Sequence, residues 1–283
     1  MSLWRKMTAA WRVALFEAKA MLLSVKFLVL TAASWMFMDF YIREIRAFAM
    51  DYGITLAPAQ LPFYFSDYIY CNIALLLLVF LFSGLPLRNG SQGQLLQRSG
   101  MHCFGAGQVL AVVLAAAVYT AEQLVLSVLV CLPCLELGGW GKAWQSMANG
   151  TMMELGYLPN AVVPQEVITN YQPWQAIGIS SVLFCLTGVF YGLLVHFLNG
   201  ISRGRAGTAA LSAWSLLWIL VESVAGRWKE LGFLLRLSPA NWNSLAGKDP
   251  AAAGGMALRI LLCILAAAAV NQVLMDRRKI EIV

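Results

Sequence analysis

Six stretches of this chain are almost free of charge and long enough to matter: near Leu23–Tyr41, Tyr68–Leu87, Gly105–Leu132, Trp174–Leu198, Gly207–Val224 and Ala257–Met275. A helix needs about 20 consecutive apolar residues to cross the hydrocarbon core of a bilayer. In lipid every backbone N–H and C=O must be satisfied within the segment, so such runs are helices. Six of them in one chain predict an all-α, polytopic membrane protein with six transmembrane helices. Composition agrees: 60% of the residues are hydrophobic, 12% are charged, and mean hydropathy is +0.70. A soluble domain carries about twice that share of charge.

The loops set the expected orientation. With both termini in the cytoplasm, 12 of the 20 Lys and Arg fall in inner segments, which are also the shorter ones. That is the sense of the positive-inside rule. The net charge of +6 is thus read as a topology signal and an attraction to anionic lipid, not as nucleic-acid binding. The N-terminus lacks the compact apolar core and small-residue cleavage site of a signal peptide.

Residues 1–22 form a separate element. Trp4, Met7, Trp11, Ala14, Leu15, Ala18 and Leu22 recur at helical spacing, and Arg5, Arg12 and Lys19 share a flank. A basic amphipathic helix with Trp on its apolar side lies in the membrane interface. Residues 23–275 hold the spans, and 276–283 form a basic tail. The polar stretch Arg88–Gly100 is expected on the cytoplasmic side, with a short helix at Gln94–Arg98. The long segment from Glu136 to Pro173 is expected outside, as a cap or a pair of short interfacial helices.

Few residues carry chemistry. The sequence holds no HExxH, no GxSxG and no GxxxxGK[ST] loop, so no metal site is expected and any ATP would be bound by another chain. Glu122 lies near the middle of the third run beside Tyr119 and Gln123. A carboxylate at that depth faces protein or water. It is a candidate point on a substrate path or an interhelical hydrogen bond, unless a tilted helix carries it towards the headgroups. Gly188 and Gly192 form a GxxxG, a candidate packing face. Cys131 and Cys134 form a CxxC that reads as apolar filler, and His102 and His196 read as interfacial residues. Asn149-Gly150-Thr151 is a glycosylation sequon, of a kind that arises often by chance.

An interfacial basic helix, six spans, a polar loop ending in Arg98-Ser99-Gly100 before a long third helix, a Ser238-Pro239 turn before the last span, and a basic tail follow one another in this chain. This organisation resembles the permease subunit of ABC-2 type ABC transporters, a bacterial exporter class, over nearly the whole chain. The resemblance implies a six-helix domain that dimerises with a second copy or a paralogue, in the bacterial plasma membrane. It implies a cytoplasmic ATPase subunit under each copy, holding the ATP and Mg, with no cofactor in this chain. Met1–Lys19 would be the elbow helix, and Gln94, Leu95, Leu96, Gln97 and Arg98 the coupling helix. Arg227–Trp242 would be an outer re-entrant region. The long segment after the third span departs from the shortest members of that family. The alternatives are a non-transporting membrane anchor and, more remotely, an intramembrane enzyme using Glu122 and His196.

Overall fold

The computed structural model describes residues 3–86, 92–202, 204–225 and 234–282. Among them every regular element is helical, apart from one isolated bridge between Leu56 and Leu135. In order these are α1 (Leu3–Leu22), α2 (Val25–Asp51), α3 (Leu61–Tyr64), α4 (Tyr68–Phe82), α5 (Gln92–Ser99) and α6 (Met101–Cys131), the last closed by a 3₁₀ turn. Then come α7 (Gly141–Ala148), α8 (Thr151–Glu154), α9 (Gln165–Asn170), α10 (Pro173–Ser202), α11 (Ala206–Ala225), α12 (Pro239–Asn243) and α13 (Pro250–Ile282).

Five of these helices are long and apolar enough to cross a membrane: α2, α6, α10, α11 and α13, the last over Pro250–Val273. The run expected at Tyr68–Leu87 gives the shorter α4, whose 15 residues span about 22 Å. It starts where the Asp67 carboxylate accepts from the amides of Ile69 and Tyr70 and ends before Gly84 and Pro86. Other helices outrun their apolar cores. α2 continues through Tyr41 to Asp51 because Arg46 bonds Asp39 at 2.6 Å and the Val130 carbonyl at 3.1 Å. α13 continues as backbone helix to Ile282, through the segment expected as a tail.

The long helices run up and down between two ends. Lys26 at the start of α2 donates to Ser83 just past the end of α4, at 2.7 Å. Tyr41, further along α2, meets Tyr70 in the first turn of α4. Along α10 and α6, Phe184 meets Tyr119 and His196 meets Gln108, so these two are antiparallel. α1 and the later part of α13 lie at the same end of the bundle, joined through α6 and α10.

The opposite end carries a cap. Leu56 exchanges backbone hydrogen bonds with Cys134 and Glu136 at 2.8 and 3.0 Å. The Trp144 indole donates to the Ala57 carbonyl at 2.8 Å. Gly141 is required here, with φ of +75° and the Thr55 and Ala57 backbone 2.9 Å from where a Cβ would sit. Short helices α7, α8 and α9 build this layer from the segment expected as a cap. Under it lies an aromatic core of Tyr41, Phe63, Tyr64, Tyr70, Phe65 and Phe184, the last two stacked at 3.9 Å. Outward faces of α2, α11 and α13 bear exposed Leu and Val, such as Leu28, Leu220 and Leu258, as helices solvated by lipid do.

Candidate functional site

The site is built from polar side chains set singly in apolar helices. The first network lies at the α1 end. Glu17 on α1 is only 1% exposed. Gln108 on α6 donates from Nε2 to Glu17 Oε1 at 3.3 Å. The Gln108 Oε1 faces His196 Nε2 on α10 at 3.1 Å, and His196 Nδ1 faces Asn271 Oδ1 on α13 at 3.0 Å. Asn271 spends its amide hydrogens on the carbonyls of Ala267 and Leu193, at 3.0 and 3.4 Å. His196 therefore stands between two amide oxygens. A protonated ring donates to both; a neutral ring donates to one and needs the other amide turned end for end. Glu17 Oε2 has no partner. Burial pushes the Glu17 carboxyl from its ordinary 4.5 up to about 7, against the hydrogen bond from Gln108.

This network is reached because α1 packs tightly on α6. A Cβ on Gly107 would stand 2.6 Å from Val13 Cβ and 2.8 Å from the Ala10 carbonyl. Small residues let the two backbones approach. The face of α1 that is buried is Ala10, Val13, Ala14, Glu17, Ala18 and Met21. Trp4, Met7, Trp11 and Leu15, expected on the apolar side, are exposed beside it, and Arg5, Arg12 and Lys19 are exposed as well. One helix thus turns a small-residue strip to protein and leaves an aromatic strip and a basic flank exposed, the pattern of a helix suited to a membrane interface.

The second network lies deeper and involves the residues expected there. Tyr119 is fully buried; its hydroxyl donates to the Ala74 carbonyl on α4 at 3.2 Å and lies 3.4 Å from Ser34 Oγ on α2. Gln123 Nε2 donates to Ser34 Oγ and to Glu122 Oε2, both at 2.9 Å. Thr31 of α2 faces the carboxylate short of full hydrogen-bond geometry, so Glu122 Oε1 and Gln123 Oε1 remain unsatisfied. Thr31 also lines a groove of about 630 Å³ along α2, with Leu28 and Trp35. Glu122 and His196 belong to different networks.

The two glycines of the GxxxG are tight contacts. A Cβ on Gly188 would stand 2.6 Å from Leu78 Cδ2, and one on Gly192 would stand 2.5 Å from Val112 Cγ1 and 2.7 Å from Phe82. The proposed coupling segment is α5, which rests on both α1 and α6. Leu96 is half-buried, and Gln97 and Arg98 are exposed; the side chains of Gln94 and Leu95 lie outside the described residues, as do residues 87–91. Of the segment Arg227–Trp242, residues 227–233 also lie outside, and the rest is a 3₁₀ turn leading into α12.

Sequence reasoning missed Glu17, Gln108 and Asn271 and set His196 at the interface, where the structure buries it. Its partners lie 88 and 75 residues away. The available signal was a carboxylate, two amides and an imidazole spread over four helices. Among the described residues no group of three or more His, Cys, Asp or Glu is placed to hold a metal. Cys131 is buried near Gln60, and Cys134 is half-buried, both as free thiols. Set against known proteins, the chain finds no match among protein-family models, curated proteins or solved structures.

Proposed function

We propose that the chain is the membrane-spanning subunit of an ATP-driven exporter of the ABC-2 kind. It would work with an ATPase on a separate chain and a second permease copy or paralogue. In this reading α4 is the sixth crossing, since it runs between the same two ends as the five longer helices. Both termini are cytoplasmic, which fits α1 and the later part of α13 at one end, and the cap faces outward in a bacterial plasma membrane. The substrate is a peptide, a drug-like molecule, a lipid or a glycan.

The observation that carries the reading is α5: eight residues forming a separate helix that rests on α1 and α6 and exposes Gln97 and Arg98. A short stiff helix at that place transmits a push from a partner to two longer ones. The Glu17–Gln108–His196–Asn271 network then passes displacement of α1 and α6 to α10 and α13.

The test is purification of the tagged chain in mild detergent with its genomic neighbours co-expressed. A stoichiometric ATPase subunit is expected, and it should be lost when Leu95, Leu96 and Arg98 are changed to Ala in a still-folded chain. A folded chain that never carries an ATPase overturns the reading in favour of an anchor or assembly subunit.

A further inference from the structure

α13 carries a single charged residue between Pro250 and Val273, and it is Arg259. It lies about 13 Å along the helix from Pro250. A cation in a membrane-spanning segment is costly unless an anion or water meets it. The one ion pair among the described residues is Arg46–Asp39, so Arg259 pairs with no carboxylate among them. What it lines instead is a small cavity of about 170 Å³ shared with Arg236 and Met256. Arg236 is held over that cavity by its backbone, whose carbonyl accepts from the Trp242 indole at 3.1 Å. Two arginines and no carboxylate line this space among the described residues, and a phosphate is the anion that guanidinium forks fit.

The cavity does not stand alone. Its Phe190 and Trp242, packed edge to face at 6.2 Å, are also the wall of a second chamber. That chamber measures about 420 Å³ and is apolar, with Leu194, Trp214 and Leu237 around it. The axis of the pair is informative. Met256 and Arg259 belong to the part of α13 nearer the cap, whereas Leu194 is a turn beyond Phe190 towards the α1 end. Charge thus lies nearer the cap and apolar space deeper in the bundle, in the order of a phospholipid in one leaflet.

We propose that this paired groove, between α11 and α13 on the flank of α10, binds one anionic phospholipid, with its phosphate between Arg236 and Arg259 and an acyl chain along the aromatic chamber. The site depends on α13 spanning the membrane and not on the transport reading.

The experiment uses the whole chain in neutral detergent, with phosphatidylglycerol or phosphatidylcholine of identical chains added, and native mass spectrometry to count retained lipid. Wild type should keep phosphatidylglycerol over phosphatidylcholine. Arg236→Ala with Arg259→Ala should lower phosphatidylglycerol retention by about tenfold or more and leave phosphatidylcholine unchanged. If the double variant does not fold, Arg236→Gln and Arg259→Gln singly should each give a smaller loss. Millimolar inorganic phosphate should not displace the lipid. Equal retention of both lipids overturns the proposal, as does unchanged retention in the folded variants. Displacement by phosphate assigns the arginines to a free anion, and a dimer that falls apart in the variants with lipid retained assigns the groove to a second copy; either result also overturns it.

Discussion

The buried polar networks around His196 and around Glu122 differ in how completely they are closed. The one at the α1 end joins four helices through Glu17, Gln108, His196 and Asn271, and Glu17 Oε2 is its one unpartnered side-chain atom. The one around Glu122 joins α2, α4 and α6 and leaves two oxygens unsatisfied next to a groove. A closed network fixes helices relative to one another, because each member is costly to strand. An open one keeps hydrogen-bonding capacity for something else. The first is therefore a clamp, and the second, on the transport reading, is where a polar group of a substrate would find a partner.

The sharpest way to break the clamp is His196→Leu. It strands the amide groups of Gln108 and Asn271 that face the ring, each at about 1–3 kcal/mol, so a loss of roughly 4 kcal/mol is expected. Thermal unfolding in detergent, followed by tryptophan fluorescence, should show it. Glu17→Gln should act in the opposite direction. A carboxyl raised from 4.5 to about 7 holds its proton in the folded chain after the unfolded chain has released it. Folded stability therefore falls as pH climbs through that window, and above it the ionised group is a standing cost. The variant should be more stable than wild type above pH 7 by roughly 3 kcal/mol and no different below pH 4.5. A variant that gains equally at pH 4 and pH 8 would show that Glu17 does not titrate in this window.

Gly107→Val tests how the clamp is reached. Its added carbons meet Val13 and the Ala10 carbonyl, so α1 should lift from α6. Faster cleavage by protease near Ser24 and a loss of about 2 kcal/mol are expected, in the range of overpacked cores. The smallest effect belongs to the open network. Glu122→Gln keeps an acceptor for Gln123 and should change stability by less than about 1 kcal/mol; on the transport reading it should also alter transport of substrates with a cationic or donor group. A larger stability loss there than at His196 would reverse the comparison.

The helices were legible because their signal is local. Twenty apolar residues in a row announce a helix whatever surrounds them, and the Gly and Asn content of residues 136–173 fits a cap broken into short pieces. Helix ends were less legible. α2 outlasts its apolar run through the pairing of Arg46 with Asp39, two residues that separately mark an interface. Tyr119, Glu122 and Gln123 could be picked out since they are neighbours on one helix. Glu17 and His196 could not, since nothing near either in sequence names the other. The Trp stripe of α1 was visible too, but the choice of which strip meets protein depended on Gly107, far along the chain.

The cap has a mechanical consequence. Its hydrogen bonds tie the α2–α3 link to the stretch after α6, and Tyr171 and Glu166 bind on to Lys248 and Gly247 just before α13. Three separate connections are thus stitched at one end, mostly through backbone atoms. The other end is held by side chains, those of the Glu17–Gln108–His196–Asn271 clamp. The bundle is proportioned like tweezers: a heel joined through backbone at the cap, and tips at α1 and α5 that side chains hold together. With α6 about 46 Å long, a tilt of about 10° at the heel moves its tip by about 8 Å, so a slight change in helix angle is enough to part the tips by the width of a small molecule.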